Sequence, residues 1–135
     1  MNPARIACIA LALALCACAT SAERLQYKQE ELAIYEKHAG APVDHIRSFR
    51  LLGWQPAGDT SILLEARLNE WYWIEVDPPC FDLPYAQKIG FKMTMNTLQS
   101  RFDDLLVGPE QCRIRSIRPI DYRAAREELA ALRRR

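Results

Sequence analysis

The sequence predicts an α+β domain, mainly antiparallel β. About five to six strands form a meander sheet or small barrel between an N-terminal and a C-terminal helix. Three observations carry this. Residues 22–39 contain no Pro or Gly and are rich in helix formers. From Val43 to Ile117 the hydrophobic period falls to two, the period of a strand with one buried face. From Asp121 a helical spacing returns.

The elements follow in order. "AERLQYKQEELAIYEKHA" repeats Leu25, Leu32 and Tyr35 at seven and three residues and stops at Gly40. It reads as a helix, or alternatively as a partly ordered spacer. "HIRSFRLLGW" reads as a first strand, ended by a turn from Pro56 to Asp59. "SILLEARL" sets Ile62, Leu64, Ala66 and Leu68 on one face and Ser61, Leu63, Glu65 and Arg67 on the other. Asn69 and Glu70 fit a two-residue hairpin into a third strand, Trp71 to Asp77. Residues 82–87 make one helical turn with Asp82 as its cap. "IGFKMTM" places Phe91, Met93 and Met95 on one face of a fourth strand. Phe102–Val107 and Cys112–Ile117 are short strands about the "GPEQ" turn. Asp121 then caps a helix whose Tyr122, Ala125, Leu129 and Leu132 form an apolar stripe.

The first residues give an address. Arg5 precedes an uncharged run of ten residues, Ile6 to Leu15. That is short of the roughly 20 residues a membrane-spanning helix needs, and it suits the apolar core of an export signal. "LCAC", Leu15 to Cys18, follows. This stretch resembles the lipobox of bacterial lipoproteins, with leucine at −3 and a small residue at −1. The resemblance implies that Cys18 carries lipid and becomes the first residue of the mature chain. Cys16 fits less well, since bulky Leu15 would occupy its −1 position. An ordinary secreted protein cleaved after Ala19 or Ala22 is the alternative. The expected organisation is a signal peptide at 1–17, a lipid-anchored helix or spacer at 18–42, and a compact disulfide-bonded domain at 43–135. The mature chain has 135 − 17 = 118 residues, the length of one small domain. Ala19 after the anchor resembles outer-membrane sorting, so the expected location is the periplasm-facing outer membrane. A secreted or soluble periplasmic protein is the other possibility.

Cysteine usage agrees with export. Of the five cysteines, Cys8 and Cys16 leave with the signal and Cys18 takes lipid, so Cys80 and Cys112 remain. In an oxidising compartment the default for such a pair is a disulfide. A metal site would need further ligands, and His38 and His45 are distant in sequence and read as solvated surface groups. No cofactor and no metal are expected.

Charge is balanced overall but unevenly spread. Residues 112–135 hold eight arginines and three acids, a net +5. Arg113, Arg115, Arg118, Arg123, Arg126 and the terminal arginines are either a solvated helix face or a surface for anionic headgroups. Nucleic acid does not suit an exported, near-neutral chain.

"WYWIEVDPPC" at 71–80 concentrates the remaining chemistry. In an extended strand Tyr72, Ile74 and Val76 face the core, and Trp71, Trp73, Glu75 and Asp77 face outward. Trp71 and Trp73 either pack under a helix, most simply the C-terminal one, or form a ligand platform. Asp77-Pro78-Pro79 ends the strand. Glu75, Asp77 and Asp82 could in principle supply a carboxylate pair for glycoside hydrolysis, but such a pair must flank a cleft. No nucleophile elbow, phosphate loop, dinucleotide fingerprint or zinc spacing occurs.

The "DPPC" at 77–80, the "CRIRSIRPID" at 112–121 and the lipobox together resemble a family of small bacterial envelope proteins of unknown function. The resemblance covers about residues 43–121 and implies a disulfide and one compact domain, with no activity to carry over. Three functions compete: a tethered, non-enzymatic module that supports the envelope or binds an envelope protein partner; an inhibitor or small-ligand-binding lipoprotein; and a small hydrolase. The residues offered for a binding surface are Trp71, Trp73, Arg113, Arg115 and Arg126.

Overall fold

The structure, a computed structural model, describes the backbone from Pro3 to Arg135 and, apart from Pro3, the side chains from Thr20 onward. Cys8, Leu15, Cys16 and Cys18 therefore lie outside the described side chains. Among the described residues two helices, α1 (Pro3–His38) and α2 (Tyr122–Arg133), flank eight strands. These are β1 (His45–Ile46), β2 (Gly53–Pro56), β3 (Ser61–Arg67), β4 (Glu70–Val76), β5 (Gly90–Lys92), β6 (Leu98–Gln99), β7 (Asp104–Val107) and β8 (Glu110–Ile120). Six of them form a curled antiparallel sheet, a half-barrel, in the order β2-β3-β4-β8-β7-β5; β1 and β6 make a small second sheet. The fold is α+β.

The sheet consists of two hairpin systems joined by one long-range pairing. β2-β3-β4 is a meander, β7-β8 is a hairpin, and β4 pairs with β8 from Trp71↔Ile120 to Val76↔Ile114. Register shifts at Glu65/Arg67 and Glu75/Val76 mark bulges, and a bulge bends its strand and deepens the local twist. The resulting curl gives the sheet a closed inner face. Ile62, Leu64, Ile74, Ile114, Ile117, Leu105 and Val107 fill it, and Phe49, Leu83 and Leu98 cap its open side.

The outer face is covered too. Leu63, Trp73 and Ile120 pack against Tyr35 of α1 and Ala125 and Leu129 of α2. This explains why β3 is almost uniformly buried rather than alternating. The Asp121 carboxylate accepts from Ala124 N at 3.1 Å and caps α2, and Ala125, Leu129 and Leu132 are the buried stripe the sequence predicts.

Several local expectations change. The proposed first strand over 45–54 is two strands, because Ser48 adopts φ +51 and turns the chain so that Phe49 enters the core. The β3–β4 turn is Leu68–Asn69 rather than Asn69–Glu70. Arg67 pairs with Glu70, Asn69 takes φ +61, and its N–H donates to Glu65 Oε1 at 3.1 Å. Leu68 is consequently exposed at the hairpin tip. Asp82 precedes a 3-10 turn at Leu83–Tyr85, but its side chain makes no capping bond. That role falls to Glu110, whose carboxylate accepts from Phe81 N and Asp82 N at 3.2 and 2.7 Å. Met95 leaves the strand at φ +54 and is exposed, while Phe91 meets Phe49 edge-on at 5.0 Å. Cys80 and Cys112 are joined by a disulfide with Cα atoms 5.9 Å apart, tying the β4 exit to β8.

Candidate functional site

The two outward tryptophans of β4 separate into one that is closed off and one that is not. Trp73 is only 4% exposed. Its ring lies 5.9 Å from Tyr35 on α1, and the Arg118 guanidinium sits 5.6 Å from the ring centroid. Arg118 comes from the facing position of β8 and donates to Glu36 at 2.7 Å and to the Gly40 carbonyl at 2.8 Å. One arginine thus joins sheet, indole and helix end. Trp73 Nε1 is buried and has no hydrogen-bond partner among the described residues. Trp73 thus meets α1 through Tyr35 within one buried cluster that also holds Ala125 and Leu129 of α2, and the expected C-terminal cover is most direct at Trp71.

Trp71 stacks on Tyr122 at 3.9 Å with the rings 13° apart. The register that pairs Trp71 with Ile120 brings the first residue of α2 over the indole, and Asp121 fixes where that helix starts. The Tyr122 hydroxyl reaches Gln55 at 3.5 Å. Beside the stack opens a cleft of about 800 Å³, lined by Glu65, Asn69, Trp71, Tyr122, Arg123 and Arg126 among others. Its acids are already engaged: Glu65 accepts from Asn69 N and Asp121 caps the helix. Arg123 and Arg126, one turn apart on α2, line the cleft and are exposed. A flat aromatic edge beside two guanidinium groups suits a ligand with one apolar face and an anionic group.

The other arginines divide by use. Arg113 pairs with Asp104 at 2.8 Å and donates to the carbonyls of Arg101 and Phe102, so it braces a turn. Arg115 is exposed on β8 and lines a separate shallow hollow with Asp77 and Arg101. Arg133 and Arg135 reach back to Tyr27 and Glu30 of α1 and tie the helices together. His38 is not a solvated group: its Nε2 lies 2.6 Å from Glu128, which also bonds Lys37. These two donors pull the Glu128 carboxyl below its ordinary value. His45 is exposed and accepts from Arg47 Nε at 3.1 Å. Burial, then the Glu31 charge and hydrogen bond, raise the Tyr35 phenol far above its usual range. Burial and the hydrogen bond to Glu70 push Tyr72 up to about 12.

The three acids considered for hydrolysis are dispersed. Glu75 faces Ser116 at 3.4 Å on the outer sheet face, Asp77 is exposed beyond the strand end, and Asp82 stands on the following loop. Among the described residues there is no group of three or more His, Cys, Asp or Glu placed to hold a metal ion. Among the same residues no helix is long and apolar enough to cross a membrane.

With this geometry in place, comparison gives the lineage. The profile of a Family of unknown function (DUF6491) matches residues 1–135, the whole chain. The protein belongs to that family. No curated protein and no solved structure matches this DUF6491 chain. Its features thus rest on the residues themselves. Sequence reasoning named Trp71, Arg123 and Arg126 separately but missed Tyr122 as the residue that joins them, and missed that Arg118 covers Trp73. Tyr122 was legible as a stripe residue; its stack on Trp71 depends on a pairing between segments 49 positions apart.

Proposed function

We propose that this chain is a lipoprotein of the bacterial envelope, tethered at Cys18, whose folded domain binds a partner and catalyses no reaction. The observation that carries it is the ten-residue apolar run followed by Leu15–Cys18. The way α1 meets the domain supports it. The end of α1 distal to Cys18 is built into the sheet: Tyr35 is buried, Gly40 N donates to Pro119 O at 2.7 Å, and Asp121 N donates to His38 O at 3.1 Å. A tether of this kind holds the domain at a set position instead of trailing it on a flexible linker. Metabolic palmitate labelling with fractionation tests the reading. Wild-type protein takes the label and sediments with membranes, and Cys18→Ala does neither. A Cys18→Ala protein that still labels and stays membrane-bound would refute the anchor.

A second reading, that the domain binds a small ligand, is favoured by the Trp71–Tyr122 stack with Arg123 and Arg126. An acidic disaccharide offers the matching chemistry, an apolar sugar face and a carboxylate. Titration should change tryptophan emission in the wild type and not in Arg123→Ala/Arg126→Ala. An unresponsive wild type rejects that ligand class.

A further inference from the structure

The N-terminal part of α1 and the loop after β4 leave the sheet at the same end. α1 runs alongside β4: Ala39 bridges to Ile120, the partner of Trp71, while Lys28 pairs at 2.9 Å with Asp59, beside the Thr60 carbonyl that accepts from Val76 N. Ala39 therefore sits at the Trp71 end and Lys28 at the Val76 end. The helix face that lays Tyr35 on Trp73, and Leu32 within reach of Gly58, continues at helical spacing to Leu25. Leu25 is 62% exposed, since the helix has by then run past the sheet.

Next to this overhang the chain displays two aromatic rings. Phe81 is 74% exposed and Tyr85 84%. Their loop is firmly held. Cys80 is bonded to Cys112, the Glu110 carboxylate accepts from Phe81 N and Asp82 N, and Leu83 between the rings is completely buried. Prolines at 78, 79 and 84 restrict the backbone further. With Lys28, Pro78 and Pro84 the two rings line an apolar notch of about 350 Å³. A loop braced at four points that still presents its largest apolar side chains to water is shaped for contact with something else.

The geometry points to the membrane surface as that occupant: Leu25, Phe81 and Tyr85 rest in the headgroup zone of the bilayer that holds the anchor. This rests on the Cys18 tether proposed above. Lys28 is ten residues from Cys18, about 15 Å along a helix, so a tilt of α1 brings the rings to the interface. Tyr85 suits that depth because its ring is apolar and its hydroxyl can bond in the wet headgroup zone, while Phe81 and Leu25 gain by leaving water. Charge does not drive the contact. Arg24, Lys28 and Lys88 share these segments with Glu23, Asp59, Asp77 and Asp82, and the Glu110 carboxylate holds the loop, so acids outnumber bases. A zwitterionic surface should therefore serve at least as well as an anionic one. The arrangement also orients the molecule: the Trp71–Tyr122 cleft lies at the other end of β4 and faces away from the membrane.

The test uses the mature lipidated protein in phosphatidylethanolamine/phosphatidylglycerol vesicles containing a diazirine-bearing phospholipid. After irradiation, lipid adducts are mapped by mass spectrometry. The expected result is adducts within 79–88 as well as near the anchor, and loss of the 79–88 adducts in Phe81→Ser/Tyr85→Ser with the anchor-proximal ones retained. Adducts confined to the anchor region in the wild type would overturn the proposal. So would a photoreactive phenylalanine at position 85 that cross-links to a protein in cells. Palmitate labelling of the same preparation reports on the tether separately: labelled protein without 79–88 adducts refutes the surface contact alone, and unlabelled protein refutes the tether.

Discussion

At the residue scale, the side chains that matter most are those joining elements distant in sequence. Tyr35 is 1% exposed, packs on Trp73, and donates its hydroxyl to Glu31 at 3.1 Å. Tyr35→Ala should cost about 3–5 kcal/mol, the usual range for deleting a buried aromatic ring. Tyr35→Phe keeps the packing and should cost only about 1 kcal/mol, since the acceptor Glu31 remains partly solvated. Urea unfolding midpoints of the two variants check the difference, and equal losses would show that the hydroxyl, not the ring, carries the contact. Glu128 supplies a pH dependence. Its carboxyl is held below its ordinary value of 4.5 by Lys37 and His38, so its stabilising effect is full above that value. It is lost as pH falls through the lower folded-state value. Thermal melts between pH 6 and 3 should show a shallower acid slope for Glu128→Gln than for the wild type. Identical slopes would place the acid sensitivity elsewhere.

At the element scale, the disulfide and α2 each hold a joint that backbone pairing leaves open. The Cys80–Cys112 bridge closes a separation of 32 residues. Loss of such a loop constraint is expected to cost roughly 3–4 kcal/mol in the chain-entropy picture. Cys80→Ala/Cys112→Ala should melt correspondingly lower, and reducing agent should lower the wild type but not the variant. For α2, stopping the chain at Asp121 removes Leu129 and Leu132, both buried, and the Tyr122 ring stacked on Trp71. Each leucine is worth roughly 1.5–3 kcal/mol of burial, an upper range because unfolded chains already hide some surface. The truncated protein should melt earlier and its tryptophan emission should shift to the red. Unchanged values would make α2 an appendage.

At the scale of the whole molecule, the sheet works as a two-sided partition. Its inner face is an ordinary β core, and its outer face is sealed by the two helices. Because α1 is both the sheet's cover and the route to the proposed anchor, loosening it affects two functions together. Glu36→Ala removes one partner of Arg118, a bond at 2.7 Å with the carboxylate mostly exposed. For such a pair the expected loss is below about 1 kcal/mol. Amide exchange in 30–38 should rise while exchange in β3 stays slow, and a simultaneous rise in β3 would show that helix and sheet open as one unit.

Elements with a local pattern could be read from the residues alone. β3 and β4 were legible because short apolar and aromatic runs bounded by turn residues need no partner to be recognised, and α2 because Asp121 and a stripe at 122, 125, 129 and 132 define a helix without reference to its surroundings. The cysteine pair was legible by arithmetic. Tertiary structure decided everything that depends on register between remote strands. Whether Trp71 or Trp73 would be covered was undecidable from the strand alone. Both point outward, and the answer lies in which residue of β8 stands opposite: Ile120, leading Tyr122 over Trp71, or Arg118, bonded to α1 over Trp73. The split of 45–54 into two strands came from Phe49, whose burial outweighed the regular period of its neighbours. The exposure of Phe81 and Tyr85 was hidden for the same reason. An apolar side chain reads as core until the three-dimensional neighbours are known, and here Leu83 and Cys80 take the interior positions and leave the rings outside.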